Sequence, residues 1–528
     1  MLSPSYYYNK GIHIGGVVLK RYISYFLVFL CFAAAFCLPV AAQNSAAGRT
    51  LTSDFSQMDE YIEAMMQDCR IPGFSVAIVQ DGETLYMNGY GVADETGRAV
   101  TPQTPFLVGS VSKTFTALAV MQLAELGTVE LDKPVQDYLP NFALADADAS
   151  AKITVRQLLN HTSGFGKAAE HRVATLYGDQ ETLHELVQKS TTITLKNEPG
   201  STFEYGNMSF IILGDLIETV SGLSYGEYIQ RYIFDPLEMH HSYTSVERAK
   251  EDGLAIGYRP IFGFAHPSGL PYRTDFLPAY SVISSAEDMT HYMIAMSNGG
   301  RYHDSEILSE EGIRQMTSAS VHISEWMSYG LGWYVTSGSF YHGGELPDYQ
   351  AKVKFLPEDD ISVVLMYNTS GIMLSTLFKA GYRDRIESGI INAIYGISPT
   401  DQPNPGPFNL SSYPVSVVYG LELGLAVIIG VLFILSGIRL LSLSKRLAKS
   451  KSSFWRIMIF SAVINCVLPL LLLVFIPIWV GVRWAVVLNY APDAGWLIII
   501  SSIALLALGL VKAWIIFRFL KTDSSALA

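Results

Sequence analysis

The chain has 528 residues, enough for two or three average domains, and 50% of them are apolar, too many for an ordinary soluble enzyme. A formal charge of −12 argues against a nucleic-acid partner, which would call for a basic face. Four cysteines leave no disulfide for the central region, because Cys31, Cys37 and Cys466 fall in apolar runs and Cys69 stands alone.

The apolar excess sits at the two ends. Lys20 and Arg21 precede an apolar stretch from Tyr22 to Leu38, and Val40 and Ala42 supply small residues for cleavage after Ala42. Residues 1–42 are therefore expected to be an export signal, with an uncleaved anchor helix as the alternative. Neither cysteine in that stretch follows small residues, so a lipid-modified N-terminus is not expected.

Residues 43–397 read as one globular unit, without a Pro/Gly/Ser-rich break. Phe74–Val79, the turn Asp81-Gly82 and Thr84–Tyr90 form a hairpin pattern. Next comes the segment from Phe106 to Gly127, where Leu118, Met121 and Leu126 fall at helical spacing and Gly127 suits a C-cap. Ser110 would stand at the N-terminal end of this helix, with Lys113 on the same face and within reach. A serine hydroxyl needs a base to become a nucleophile, and a lysine with a depressed pKa can serve. The helix N-terminus adds a positive field that favours a developing oxyanion. The pattern S-x-x-K is weak alone, since it recurs at Ser442 and Lys445.

Further on, Phe203-Glu-Tyr205-Gly-Asn207 offers a proton relay or base in Tyr205 and an orienting amide in Asn207. This spacing also recurs, at Tyr7 and at Tyr86, the latter inside the hairpin pattern. In Phe340-Tyr-His342-Gly-Gly-Glu345 the two glycines suit an edge strand that lets a substrate backbone approach. Alone, His342 reads as an ordinary, partly exposed histidine.

The tail changes character. Residues 398–414 are rich in proline and read as a semi-rigid linker. Three apolar segments follow, at about 415–438, 457–480 and 496–517, each long enough to span a bilayer. Arg439, Lys445, Arg446, Lys449, Lys451 and Arg456 lie in the first loop, only Arg483 in the second, and Arg518 and Lys521 follow the third. The positive-inside rule makes that basic loop and the tail 522–528 cytoplasmic, and residues 43–397 extracytoplasmic. Asn465 lies within the second span; Glu422 and Lys512 lie near span ends, where they can snorkel. Pro469 and Pro477 should kink the second helix.

The three motifs, in this order, resemble the serine β-lactamase and penicillin-binding-protein family. The likeness is greatest to the branch of class C enzymes, D-alanyl-D-alanine carboxypeptidases and related esterases. It runs from about Met58 to Gly396 and includes Ile71–Val79, Leu158–Phe165, Leu213–Gly222, Ser284–Met289 and Tyr329–Trp333. The resemblance implies an α/β (α+β) fold: an antiparallel sheet flanked by helices, with the site between it and a helical part carrying Ser110.

By the same resemblance Ser110 is the acylated nucleophile, Lys113 its activating partner, and Tyr205 the base and leaving-group acid. Asn207 positions the lysine and the substrate, and the N–H groups of Ser110 and Glu345 form the oxyanion hole. His342-Gly343-Gly344 takes the place of a K-T-G triad, which removes a fixed positive charge at neutral pH and disfavours an efficient β-lactamase. No cofactor or metal is implied.

The expected activity is acyl transfer on a peptide or ester containing a D-amino acid, in the cell wall or the extracytoplasmic space, by an enzyme held in a lipid bilayer. Protein partners stay open. So do three rivals: a prodrug-activating peptidase of a nonribosomal peptide pathway, of the type that joins such a domain to three membrane helices; an esterase; and a β-lactam sensor that is acylated without turnover.

Overall fold

The structure is a computed structural model that describes residues 54–166, 169, 182–262, 264–370, 382–401, scattered positions between 424 and 438, 463–480, 484–490 and 492–525. The expected signal and its cleavage site, most of the linker, most of the first span, Glu422 and the basic loop lie outside the described residues. By its contacts the chain divides into two units, Met1–Tyr61 with Ser375–Val415, and Ile62–Leu374 with Ser416–Ala528. In the first, the Tyr61 hydroxyl donates to the Arg385 carbonyl at 2.8 Å, on the helix Tyr382–Ile394.

The second unit is built on an antiparallel sheet. Its labelled strands, with a short outlying pair, are β1 (Gly73–Gln80), β2 (Glu83–Gly91), β3 (Tyr258–Ile261), β4 (Phe264–Pro267), β5 (Val321–His322), β6 (Ser328–Tyr329), β7 (Tyr334–Thr336), β8 (Ser339–Glu345), β9 (Gln350–Leu356) and β10 (Ile361–Tyr367). The sheet order is β2-β1-β10-β9-β8-β7-β6-β5, and β3 pairs with β4 apart from it. The expected hairpin is present as β1 and β2. Asp81 and Gly82 take φ of 51° and 74°, the left-handed pair that a tight two-residue turn between twisted strands requires.

Burial follows how fully each strand's two faces are covered. Every residue of β10 is buried, and its sequence Ile-Ser-Val-Val-Leu-Met-Tyr is nearly all apolar because both faces are covered. In β8 buried and half-buried residues alternate beyond Ser339, the period-two pattern of a strand with one face fully covered and the other partly open.

The principal helices are α1 (Ser112–Glu125), α2 (Met208–Ser221), α3 (Ala286–Ser297), α4 (Leu468–Val480) and α5 (Pro492–Ser525). The third packs on β1 and β10, and Ser285 caps it by accepting the Asp288 N–H. Helix α1 is buried at almost every position from Ser112 to Leu123. The expected apolar stripe is therefore corrected at its end: Leu118 and Met121 are buried, but Leu126 is 75% exposed because the helix stops at Glu125. Gly127, at φ 71°, carries the chain away from that end, as its C-cap role required.

Among the described residues, one helix is long and apolar enough to cross a membrane, Gly495–Arg518 within α5, with mean hydropathy 2.2. It coincides with the third expected span. The described part of the segment expected as the second span is α4, preceded by a π-helical turn, Val463–Val467. Lys512 donates to Asn465 at 3.4 Å, so it reaches sideways to a neighbouring helix as well as lying near a span end.

Candidate active site

The turn Gly109–Val111 that leads into α1 carries Ser110, which is half-buried. It is pinned from below: the Ser112 hydroxyl donates to the Gly109 carbonyl at 2.7 Å and accepts the Val282 N–H at 3.0 Å. One helical turn on, Lys113 is fully buried. Burying a charged amine without acceptors would cost far more than burying a neutral polar group, and this one has acceptors. Its Nζ donates to Ser110 Oγ at 3.1 Å, to Asn207 Oδ1 at 2.7 Å and to the Ala279 carbonyl at 2.8 Å.

Asn207 occupies the N-cap position of α2, yet its side chain makes no capping bond there. Its amide oxygen goes to Lys113 instead, which spends a local helix preference on the site. Ala279 was not legible from the sequence, since it contributes only a carbonyl from the π-helical turn Leu277–Ser281.

Two glycines bring β8 onto this turn. A Cβ added to Gly344 would lie 1.8 Å from the Val108 carbonyl oxygen, and one added to Gly109 would lie 2.7 Å from the Glu345 nitrogen. Neither contact is possible for a larger residue without moving the strand. Gly109 also takes a φ of 56°, which favours glycine independently. The Glu345 backbone is thereby held beside Ser110, the arrangement an oxyanion hole needs.

Above the lysine lies a layer of rings. Tyr205 places its ring centroid 5.0 Å from Lys113 Nζ, 6.2 Å from the His342 ring and 6.2 Å from Tyr334, against which it stacks. His342 is 1% exposed, not partly exposed as its sequence context suggested, because it faces inward from β8. Its Nδ1–H donates to the Gly343 carbonyl at 2.9 Å, and the Tyr329 hydroxyl donates to its Nε2 at 3.1 Å. Burial, reinforced by the charge of Lys113 and opposed by the Gly343 carbonyl, pushes its pKa down to about 3. The imidazole is neutral at physiological pH. Burial also raises Tyr329 well above the usual phenol range, so its hydroxyl keeps the proton it donates.

His161 was missed as a site residue. Its ring lies 4.4 Å from that of Tyr205, it is fully buried, and it takes a left-handed φ of 59°. Its carbonyl accepts the Glu204 N–H at 2.8 Å and its Nδ1 accepts the Gly206 N–H at 3.4 Å, so it brackets Tyr205 from both sides. Burial, then the charge of Lys113, hold it neutral. The signal was available: His161 and Tyr329 stand in two of the segments that carried the family resemblance, Leu158–Phe165 and Tyr329–Trp333.

The seven residues singled out from the sequence thus gather in one place. Ser110, Lys113 and Asn207 are joined by hydrogen bonds, Tyr205 and His342 form the ring layer, and Gly344 and Glu345 lie on the Ser110 turn. Such an arrangement can activate a hydroxyl, exchange a proton with it and stabilise an oxyanion. Among the described residues no cluster of three or more His, Cys, Asp or Glu could hold a metal ion.

Residues 58–380 match the family model described as Beta-lactamase. Protein flp of Staphylococcus aureus strain MW2 is 27% identical over 322 residues, which cover 60% of this chain and 64% of that protein. The match therefore spans a little under two thirds of that relative's length. Penicillin-binding protein 4 of Amycolatopsis lactamdurans is 30% identical over 304 residues, 56% of this chain and 76% of that one. Among solved structures, the octameric penicillin-binding protein homologue from Pyrococcus abyssi superposes with a TM-score of 0.56 at 28% identity, covering 66% of this chain and 79% of its own.

Proposed function

We propose that this chain, which belongs to the Beta-lactamase family, is a serine hydrolase working through an acyl-enzyme on Ser110. The observation that carries the reading is the Lys113 amine held between Ser110 Oγ, Asn207 Oδ1 and the Ala279 carbonyl. In this mechanism Ser110 Oγ attacks the substrate carbonyl carbon while its proton passes towards Tyr205, guided by Lys113. The carbonyl electrons move onto oxygen, which the N–H groups of Ser110 and Glu345 stabilise. Collapse of the tetrahedral intermediate expels an amine or alcohol, which takes its proton from Tyr205. Water then repeats the attack on the acyl-serine and regenerates the hydroxyl. Asn207 orients Lys113 and a substrate amide, and Gly344 keeps the strand edge open to the substrate backbone.

The substrate we infer is a peptide or ester containing a D-amino acid, drawn from the cell wall or the extracytoplasmic space. A relative named as a penicillin-binding protein supports a site able to take such acyl donors. Neutral His342 supplies no fixed cation to a substrate carboxylate, which favours peptidase or esterase action over efficient β-lactam hydrolysis. An esterase is accordingly the second reading.

For the whole chain we propose a cleaved signal over 1–42, a hydrolase domain over 43–397, a linker over 398–414, three membrane helices over 415–521 and a cytoplasmic tail over 522–528. The catalytic domain then lies outside the cell membrane. The apolar helix Gly495–Arg518 supports the anchoring part of that proposal.

Intact-mass spectrometry of the purified chain tests the mechanism. A panel would hold a fluorescent penicillin, an activated ester, a D-Ala-D-Ala peptide and an N-acyl-D-Asn peptide, with Ser110→Ala as control. A Ser110-dependent adduct or cleavage product is expected, and the responding compound chooses among peptidase, esterase and sensor. Equal turnover by the Ser110→Ala variant would remove Ser110 from the mechanism.

A further inference from the structure

The hairpin β3–β4 stands apart from the main sheet and has no role in the chemistry above. Ile261 pairs with Phe264, so two residues connect its strands. Phe262, the first of them, takes a φ of 48°. A residue with a side chain enters that conformation at a cost of about 1–2 kcal/mol, and connections of this kind normally carry Asn, Asp or Gly. The tip is therefore a strained place to find an aromatic residue.

Two observations say what the tip meets. The Phe262 N–H donates to Asp493 Oδ2 at 3.0 Å, and Asp493 is the second residue of α5, just before the span that begins at Gly495. Phe264 is 62% exposed, with the Arg70 guanidinium 5.0 Å above its ring. Around this end of α5 the chain carries Trp484, Tyr490 and Trp496, the last 51% exposed. Tryptophan and tyrosine concentrate at the level of lipid headgroups, where an apolar ring and a polar edge are both satisfied.

The other end of the hairpin is rooted in the catalytic scaffold. The Tyr258 N–H donates to the Asn368 carbonyl at 2.8 Å, and the Thr369 hydroxyl donates to the Tyr258 carbonyl at 3.0 Å. The Tyr349 hydroxyl donates to the Ala255 carbonyl at 2.7 Å, and a Cβ on Gly257 would lie 2.6 Å from the Tyr349 ring. Tyr349 belongs to the loop between β8 and β9, which begins directly after Glu345. A continuous line of contacts runs from the head of α5, through the hairpin, to the strand end that borders Ser110.

We infer that the hairpin β3–β4 is a membrane-contacting foot. Its occupant is the lipid headgroup layer on the extracytoplasmic side. Phe264 enters that layer beside α5, Arg70 meets lipid phosphate at the same level, and the rigid root sets the angle of the Ser110 cleft to the bilayer. Basic residues near a lipid surface and aromatic rings at the interface each favour such seating. The inference rests on the proposed membrane anchoring of α5.

The test places Phe264→Trp in the full chain, reconstituted in phosphatidylcholine vesicles brominated near the headgroup end of the acyl chains. The emission added over the wild type should be blue-shifted and quenched by the bromines. Asp493→Ala in the same background should weaken that quenching, because the tie to the tip is lost. Added emission at the wavelength of a water-exposed indole, unquenched while the native tryptophans of α5 are quenched, would overturn the foot and leave the anchor standing. Quenching that Asp493→Ala leaves undiminished would overturn the tie. Absence of quenching for the native tryptophans as well would overturn both the foot and the anchoring it rests on.

Discussion

At the Ser110 corner a fully buried lysine amine is met by three oxygens, from Ser110, Asn207 and Ala279. A few ångströms away, in the layer around Tyr205, two imidazoles are equally buried and both are held neutral. His342 is given one donor and one acceptor, from Tyr329 and Gly343, while His161 Nε2 has no hydrogen-bond partner among the described residues. Burial alone does not decide what a titratable group becomes. The partners do: acceptors on every side support a donor, whereas a hydroxyl donor and a ring stack support a neutral heterocycle. The corner is organised to act on a proton and the layer to hold groups still.

Several substitutions can break or sharpen that contrast. Ser110→Ala should cost the largest effect, about 10⁴-fold or more in turnover, with little change in thermal stability, since only one hydroxyl is removed. Acyl-enzyme mass and a melting curve read both quantities. Lys113→Ala and Tyr205→Phe come next, each slowing acylation by about 10²–10⁴-fold. They should differ in stability: Lys113→Ala leaves Asn207 and Ala279 oxygens without their donor and loses about 2–4 kcal/mol, whereas Tyr205→Phe keeps the ring contacts and loses under about 1 kcal/mol. Urea denaturation of the two variants that gave equal losses would dissolve the contrast between corner and layer.

Gly344→Ala should slow acylation by about 10²-fold, because its methyl group displaces β8 from the Val108 carbonyl and with it the Glu345 N–H. Stopped-flow acylation with a fluorescent penicillin measures this, and a normal rate would mean that the strand backbone has no part in the site.

A smaller effect, about tenfold on the acylation rate with KM unchanged, is expected for His161→Phe, which retains a ring but loses the acceptor for the Gly206 N–H. His161→Asn should retain more activity, because Asn tolerates a φ of 59° and offers an oxygen near the same place. Equal activity in the two variants would count against the bracketing of Tyr205.

The smallest is a slope in pH. His342 has a folded-state pKa of about 3 against an unfolded value of roughly 6.5, so between those limits the unfolded chain binds a proton that the folded chain refuses. Its neutral burial is fully tolerated above the higher value, and stability is lost as pH falls below it, by about 1.4 kcal/mol per pH unit. Urea titrations of wild type and His342→Gln at several pH values should show their difference shrinking with acid. A flat difference would mean that His342 titrates freely in the folded protein.

Much of the site was legible because its chemistry is local. Ser110 and Lys113 share one helical turn, Tyr205 and Asn207 straddle one glycine, and Gly344 and Glu345 adjoin on one strand. What stayed hidden acts through backbone or through burial. The Ala279 carbonyl has no side-chain signature, and His161 reads as one histidine in a turn until the fold slides it under Tyr205. Leu126 misled because spacing marks a helical face but not the residue at which a helix stops.

By itself the sequence determined the element types, the family and the cast of reacting side chains, since these depend on periodicity, turn chemistry and short spacings. Only the tertiary structure decided that His342 is buried and neutral, that Lys113 meets three acceptors, and that a hairpin remote from the catalytic motifs reaches the head of an apolar helix. Those outcomes depend on desolvation and on contacts between residues far apart in the chain, and neither quantity exists before the chain has closed on itself.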